Sequence, residues 1–150
     1  MVANDDIFGG PLSGSPPPLS TALAQLRVLV VDDDDDMRDL VSAILVREGA
    51  FVATADSAPA GFDALVSGHP QLLVSDIGMP NEDGYSLIRR VRALAAEEGG
   101  DIPAIALTAF QTPEDRKQAL RAGFNLHLGK PMRPEALVHA VARLAAAQRS

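Results

Sequence analysis

The sequence contains no cysteine, which removes disulfides, thiol nucleophiles and thiolate metal sites together. No stretch approaches the roughly 18 consecutive apolar residues of a spanning helix. The first basic residue is Arg27, too late for the charged start of a secretory signal. A cytoplasmic protein without membrane insertion is the reading that follows. Positive charge is also scarce, with 13 lysines and arginines against 20 acidic residues and a net charge of −7. A body of that sign repels a phosphate backbone, so direct nucleic-acid binding is not expected. Any metal site must be built from oxygen or from the three histidines.

What is present is 150 residues, 47% of them apolar and 22% charged, the size and mixture of one globular domain. Residues 1–25 differ in character from the rest: Gly9, Gly10, Pro11, Gly14, Pro16, Pro17 and Pro18 are interleaved with serines. Such a stretch denies a regular ladder and offers few large side chains to bury, so it reads as a flexible tail or linker. The folded domain is expected over residues 26–148.

From Leu26 onward, short apolar runs alternate with segments of helical period. Arg27 to Val31 is too short for a helix and too apolar for a strand with one wet face, which predicts a buried parallel strand. Met37, Leu40, Val41, Ile44 and Leu45 follow at spacings of three and four, with Gly49 as the stop. Further strands are predicted over 51–55, 71–75, 103–107 and 125–128, and further helices over 59–67, 84–96, 113–122 and 134–147. Five strands alternating with five helices imply an α/β fold. The expected form is a doubly wound, five-stranded parallel sheet of flavodoxin-like order 2-1-3-4-5. In that order the winding reverses between the carboxyl ends of strands one and three, where a ligand should bind.

Polar side chains of complementary type follow the apolar runs at that end of the sheet. Strand one leads into Asp32 and Asp33, strand three into Asp76, strand four into Thr108, and strand five, after Gly129, into Lys130. Three carboxylates held close together raise one another's pKa unless a cation lies between them. Oxygen ligands alone select a hard divalent ion, and a site with few protein ligands suits Mg2+. Open positions on such an ion would face a phosphoryl group, with Lys130 and Thr108 on its remaining oxygens and Asp76 as nucleophile. Asp34, Asp35 and Asp36 belong instead to the start of the first helix, where acids favour the positive end of the macrodipole. Gly84 reads as a turn residue after Asp83, and His69 and His139 as surface positions.

The strings VLVVDDDDDMRDLV, LLVSDIGMPNEDGYSLIRRVR and IPAIALTAF and the pair Lys130-Pro131 resemble the receiver domain of two-component response regulators and hybrid histidine kinases, over about Leu26 to Ala147. The resemblance implies that Asp76 accepts a phosphoryl group from a phosphohistidine donor, either a histidine kinase or a phosphotransfer domain. It implies that Asp33 and Asp76 bind Mg2+ directly, with the Gly78 carbonyl as a further ligand and Asp32 acting mostly through water. It also implies that Thr108 and Lys130 hold the phosphoryl oxygens and that the Lys130-Pro131 bond is cis. The domain then regulates a partner by changing conformation and is not an enzyme in the ordinary sense.

This sequence departs from the family pattern at His127, where an aromatic residue usually reports phosphorylation; a histidine there would carry a pH-dependent charge. Gly78 and Phe110 occupy positions that tune phosphoryl lifetime in the family. Neither offers a polar side chain to orient a water, so slow self-dephosphorylation is expected. No helix-turn-helix effector follows the last helix, which leaves a stand-alone single-domain regulator or the receiver part of a hybrid kinase. The Pro-rich lead-in and the string HLGKP favour the hybrid kinase. The downstream partner, and whether the face carrying Arg116, Lys117, Arg121 and Arg133 pairs with itself as a homodimer, are left open. Two other classes compete. A Mg2+-dependent phosphohydrolase of the haloacid dehalogenase type also uses an aspartate nucleophile, but its further motifs are absent from the sequence. A flavodoxin-like cofactor binder would place five carboxylates against its ligand's phosphate.

Overall fold

Five runs of β-branched and aliphatic residues form the strands β1 (Arg27–Val31), β2 (Phe51–Ala55), β3 (Leu72–Asp76), β4 (Ala104–Thr108) and β5 (Leu126–Gly129). They make one parallel sheet in the order β2-β1-β3-β4-β5. The structure, a computed structural model, describes residues 22–79, 83–109, 112–130 and 132–149. Most of the expected tail, Phe110 and Pro131 lie outside the described residues, and so do the expectations attached to them.

The crossovers are α1 (Asp35–Arg47), α2 (Ala58–Gly68), α3 (Gly84–Arg92) and α4 (Pro113–Ala122), and α5 (Pro134–Arg149) closes the fold. Alternation along the central strands sorts the core into two layers. Leu29, Val31, Leu73, Ala104 and Ala106 face α2, α3 and α4 through Leu65, Leu87, Ile88, Val91 and Ala119. Val28, Val30, Leu72, Val74, Ile105 and Leu107 face α1 and α5 through Val41, Leu45, Leu137 and Val141. Every residue of β3 and β4 is buried, as a strand with helices on both faces requires. Leu23 is 2% exposed and packs in the second layer. Its N–H donates to the Glu48 carbonyl, so core contacts reach back before residue 26.

Three local devices set the connections near the site. Asp34 caps α1, its Oδ1 accepting from the Asp36 and Met37 N–H groups at 2.9 and 3.2 Å, and Asp35 and Asp36 lie in the first turn. Asp83 caps α3 by accepting from the Ser86 N–H. Thr112 and Asp115 form a capping box at the start of α4, with Pro113 in the first turn.

The helix expected over residues 84–96 ends at Arg92, and a 3-10 turn over Ala96–Glu98 follows. Leu94 still packs against the core from the intervening turn, so the apolar stripe outlasts the helix. Arg92 binds this exit from below: its guanidinium donates to the carbonyls of Gly100, Ile102 and Gly123 at 2.7 to 3.0 Å. Burial pushes its pKa below the usual arginine value, with Asp101 opposing that shift.

Candidate functional site

Register builds the site. Val31 pairs with Ser75 in the β1-β3 ladder, so the next residues, Asp32 and Asp76, come side by side where the winding reverses. In the other direction Asp76 pairs with Leu107 and Thr108 with Gly129, which brings Thr108 and Lys130 to the same edge. The Lys130 N–H donates to the Thr108 carbonyl at 2.8 Å and ties the last two corners together.

The side chains converge accordingly. Lys130 Nζ donates to Asp76 Oδ1 at 2.9 Å and to Asp32 Oδ2 at 3.2 Å. Asp32, Asp76 and Thr108 are buried, at 1%, 5% and 3% exposure. Asp33 is exposed and completes an acidic trio in which Asp32, Asp33 and Asp76 each offer an oxygen within 4.8 Å of the others. Gly78 sits two residues beyond Asp76, exposed between the buried Ile77 and Met79, and a Cβ built on it would meet nothing within 4 Å. The side chains of Asp32, Asp33, Asp76 and Lys130 thus meet at the carboxyl end of the sheet, and Thr108 ends β4 beside them.

The charges do not balance within the cluster. Three carboxylates face one ammonium, which leaves two negative charges uncompensated. Burial raises the Asp32 pKa above the usual carboxylate value; the Asp34 N–H on Oδ1 lowers it, the Asp76 charge raises it again, and Lys130 lowers it. Burial alone would depress the Lys130 ammonium, but the hydrogen bonds and charges of Asp76 and Asp32 outweigh that and raise it. A site made only of oxygen donors, short of two positive charges and open on its Asp33 side, fits a hard divalent cation with several waters.

Three contacts made by Gly84, Arg38 and Arg92 have little or no signal in the sequence. Gly84, a turn residue by its place after Asp83, also donates its amide to the Ile77 carbonyl at 3.0 Å. A Cβ there would lie 2.4 Å from the Asp76 carbonyl oxygen and 2.8 Å from Ile77 Cα, so glycine is needed for close approach. Arg38, closing the first turn of α1, reaches back to the Asp32 carbonyl at 2.8 Å and to the Asp35 carboxylate. Its spacing after acidic residues was the available signal, since Asp35 stands three residues earlier on the helix. Arg92 gave no signal beyond a basic residue in a last helical turn.

His127 lies within β5, half-buried and paired with Ala106. Its neighbours Leu126 and Leu128 face α1 and α5, so His127 points to the opposite layer, where α4 lies. His69 and His139 are exposed. No helix among the described residues is long and apolar enough to cross a membrane.

Comparison with known proteins agrees with this geometry. The chain is 50% identical over 119 residues to an uncharacterized 14.6 kDa protein of Leptolyngbya boryana, covering 79% of this chain and 89% of that protein. It is 32% identical over 117 residues to hybrid signal transduction histidine kinase D of Dictyostelium discoideum, covering 73% of this chain but 8% of the kinase. The chain spans about half the length of several other regulators it matches. Among solved structures, chemotaxis protein CheY4 of Vibrio cholerae superposes with a TM-score of 0.75 at 28% identity, over 81% of this chain and 99% of that one. Residues 28–142 match the response regulator receiver domain, and with the five-stranded fold and the acidic crevice in place, the chain belongs to that family.

Proposed function

We propose that this domain is the phosphoacceptor of a two-component phosphorelay, in which the Asp76 carboxylate takes a phosphoryl group from a phosphohistidine donor. The observation that carries the reading is the double hydrogen bond from Lys130 to Asp76 and Asp32 beside the acidic trio. In the transfer an Asp76 oxygen forms a bond to phosphorus while the bond from phosphorus to the donor nitrogen breaks, and the imidazole leaves. A carboxylate is a weak nucleophile toward phosphorus, so positioning and charge neutralisation supply most of the acceleration. Lys130 steadies developing charge on the phosphoryl oxygens, and Thr108 offers a hydroxyl from the end of β4. Asp33 and Asp76, with the Gly78 carbonyl and with Asp32 acting mostly through water, would hold Mg2+. When bound, the ion supplies the positive charge that the cluster lacks.

Incubation with acetyl phosphate or a phosphohistidine donor tests this. A stable adduct mapped to Asp76 is expected; turnover without an adduct, as a phosphohydrolase gives, or no modification would contradict it. The adduct should be long-lived, because Gly78 provides no polar group to hold an attacking water. The space beside Gly78 is open, so Gly78→Asn should fold normally. One oriented hydrogen bond to water, at about 1 kcal/mol, should speed decay about fivefold. Decay followed by loss of the labelled phosphoryl group checks this.

Two settings for the domain have support of different weight. The hybrid-kinase setting favoured by the sequence strings is supported by one relative, of which the chain covers 8%. A single-domain regulator is supported by the Leptolyngbya relative, which the chain covers over 89% of its length.

A further inference from the structure

Asp33 is the exposed member of the acidic trio, and among the described residues no hydrogen bond or ion pair holds its carboxylate. Its position must therefore come from its backbone. Both peptide units that flank its Cα are pinned. The N–H of the following unit, that of Asp34, donates to Asp32 Oδ1 at 2.9 Å. The carbonyl of the preceding unit, that of Asp32, accepts from the Arg38 guanidinium at 2.8 Å.

Arg38 is itself fixed twice. Its N–H donates to the Asp34 carbonyl within the first turn of α1, and its guanidinium pairs with Asp35, leaving the side chain 17% exposed. A planar fork that bonds a carbonyl and a carboxylate at once holds a direction that a single ammonium does not. Arg38 thus closes the turn that carries Asp32 and Asp33 onto the helix that follows it.

We infer that Arg38 is a positioning residue for the cation site: by holding the Asp32 carbonyl it sets the backbone angles that aim the Asp33 carboxylate at the ion. This rests on the reading of Asp32, Asp33 and Asp76 as the metal-holding set. Arg38 is a positive charge close to a cation site, so by Coulomb repulsion alone its removal would tighten ion binding. If it positions the ligands, its removal weakens binding, as loss of an outer partner of a ligand commonly does by about tenfold or more.

The test is calorimetric titration of Mg2+ into the full 150-residue chain as wild type, Arg38→Met and Arg38→Lys, with thermal melting in chelator to confirm the fold. Arg38→Met keeps much of the stem and removes charge and donors; it is expected to bind Mg2+ about tenfold more weakly. Arg38→Lys keeps the charge without the fork and should fall between, and it carries the test if the methionine variant does not fold. Binding by Arg38→Met that equals or exceeds wild type overturns the inference while leaving the metal site intact. A wild-type chain that binds no Mg2+ overturns both.

Discussion

Alanine in place of Gly84 is expected to disable phosphoryl transfer to Asp76 although every acidic residue, Lys130 and Thr108 remain. The added Cβ would fall 2.4 Å from the Asp76 carbonyl oxygen and 2.8 Å from Ile77 Cα. Both are backbone atoms and cannot swing aside as a side-chain tip can. Two effects oppose each other. Alanine favours a helix over glycine by up to about 1 kcal/mol, and less at the first residue of α3. Overpacking a close backbone contact costs about 1 to 3 kcal/mol and shifts the chain. The clash wins, and the segment it moves carries Asp76, the proposed nucleophile. A displacement of about 1 Å at a reacting group lowers rates on the order of a hundredfold. Phosphorylation kinetics with acetyl phosphate, alongside urea unfolding, would show a rate loss far larger than the loss of stability explains. Gly78→Ala is the matching control, since its Cβ meets nothing within 4 Å and should leave stability unchanged. Equal behaviour of the two variants would contradict this account of the loop.

Replacing Lys130 by methionine should cost both stability and function, and Mg2+ should restore only the first. The ammonium bonds two buried carboxylates, with its own side chain 18% exposed. Removing one partner of a fully buried ion pair costs about 3 to 5 kcal/mol. Here the Asp33 side of the site is open to water, so a cost of about 2 to 3 kcal/mol in chelator is expected. A divalent cation between the carboxylates offsets part of that loss by mass action. It does not replace the cation on the phosphoryl oxygens, whose loss should slow transfer by about a hundredfold or more. Urea unfolding with and without Mg2+ and initial transfer rates separate the two roles. Wild-type transfer by the variant would remove Lys130 from the chemistry.

The sequence was most readable where a pattern depends on neighbours along the chain. Arg27 to Val31 reads as a buried strand, and Met37, Leu40, Val41, Ile44 and Leu45 read as one face of a helix. Both elements stand where expected, but Leu40 is 49% exposed, so the buried stripe of α1 is narrower than the spacing suggests. The strands β3, β4 and β5 each begin and end one residue later than their apolar runs suggest. Asp76, Thr108 and Gly129 are therefore last residues of strands, because pairing continues through them on one side, Asp76 with Leu107 and Thr108 with Gly129. Such ends are set by pairing across the sheet, which hydropathy along one strand does not contain.

The site was legible for a related reason. Its residue types follow the strands directly, and a parallel sheet gathers the ends of its strands whatever the loops do. Gly84, Arg38 and Arg92 depend on approaches between segments that no spacing rule encodes. Gly84 matters because α3 begins against the Asp76 carbonyl. Arg38 matters because its side chain reaches back to the carbonyl of Asp32 in the turn before its helix. Arg92 bonds the carbonyl of Gly123, 31 residues away. Each is a contact that exists only once the sheet has placed the elements.

The central claim is that Asp76, aided by a divalent cation, takes up one phosphoryl group. Intact mass after exposure to acetyl phosphate measures it directly, for wild type and Asp76→Asn, in Mg2+ and then in chelator. The wild-type chain in Mg2+ should gain the mass of a single phosphoryl group, and the chelated chain and the asparagine variant should gain none. The same gain in Asp76→Asn, or a gain in wild type that is indifferent to chelation, would contradict the account.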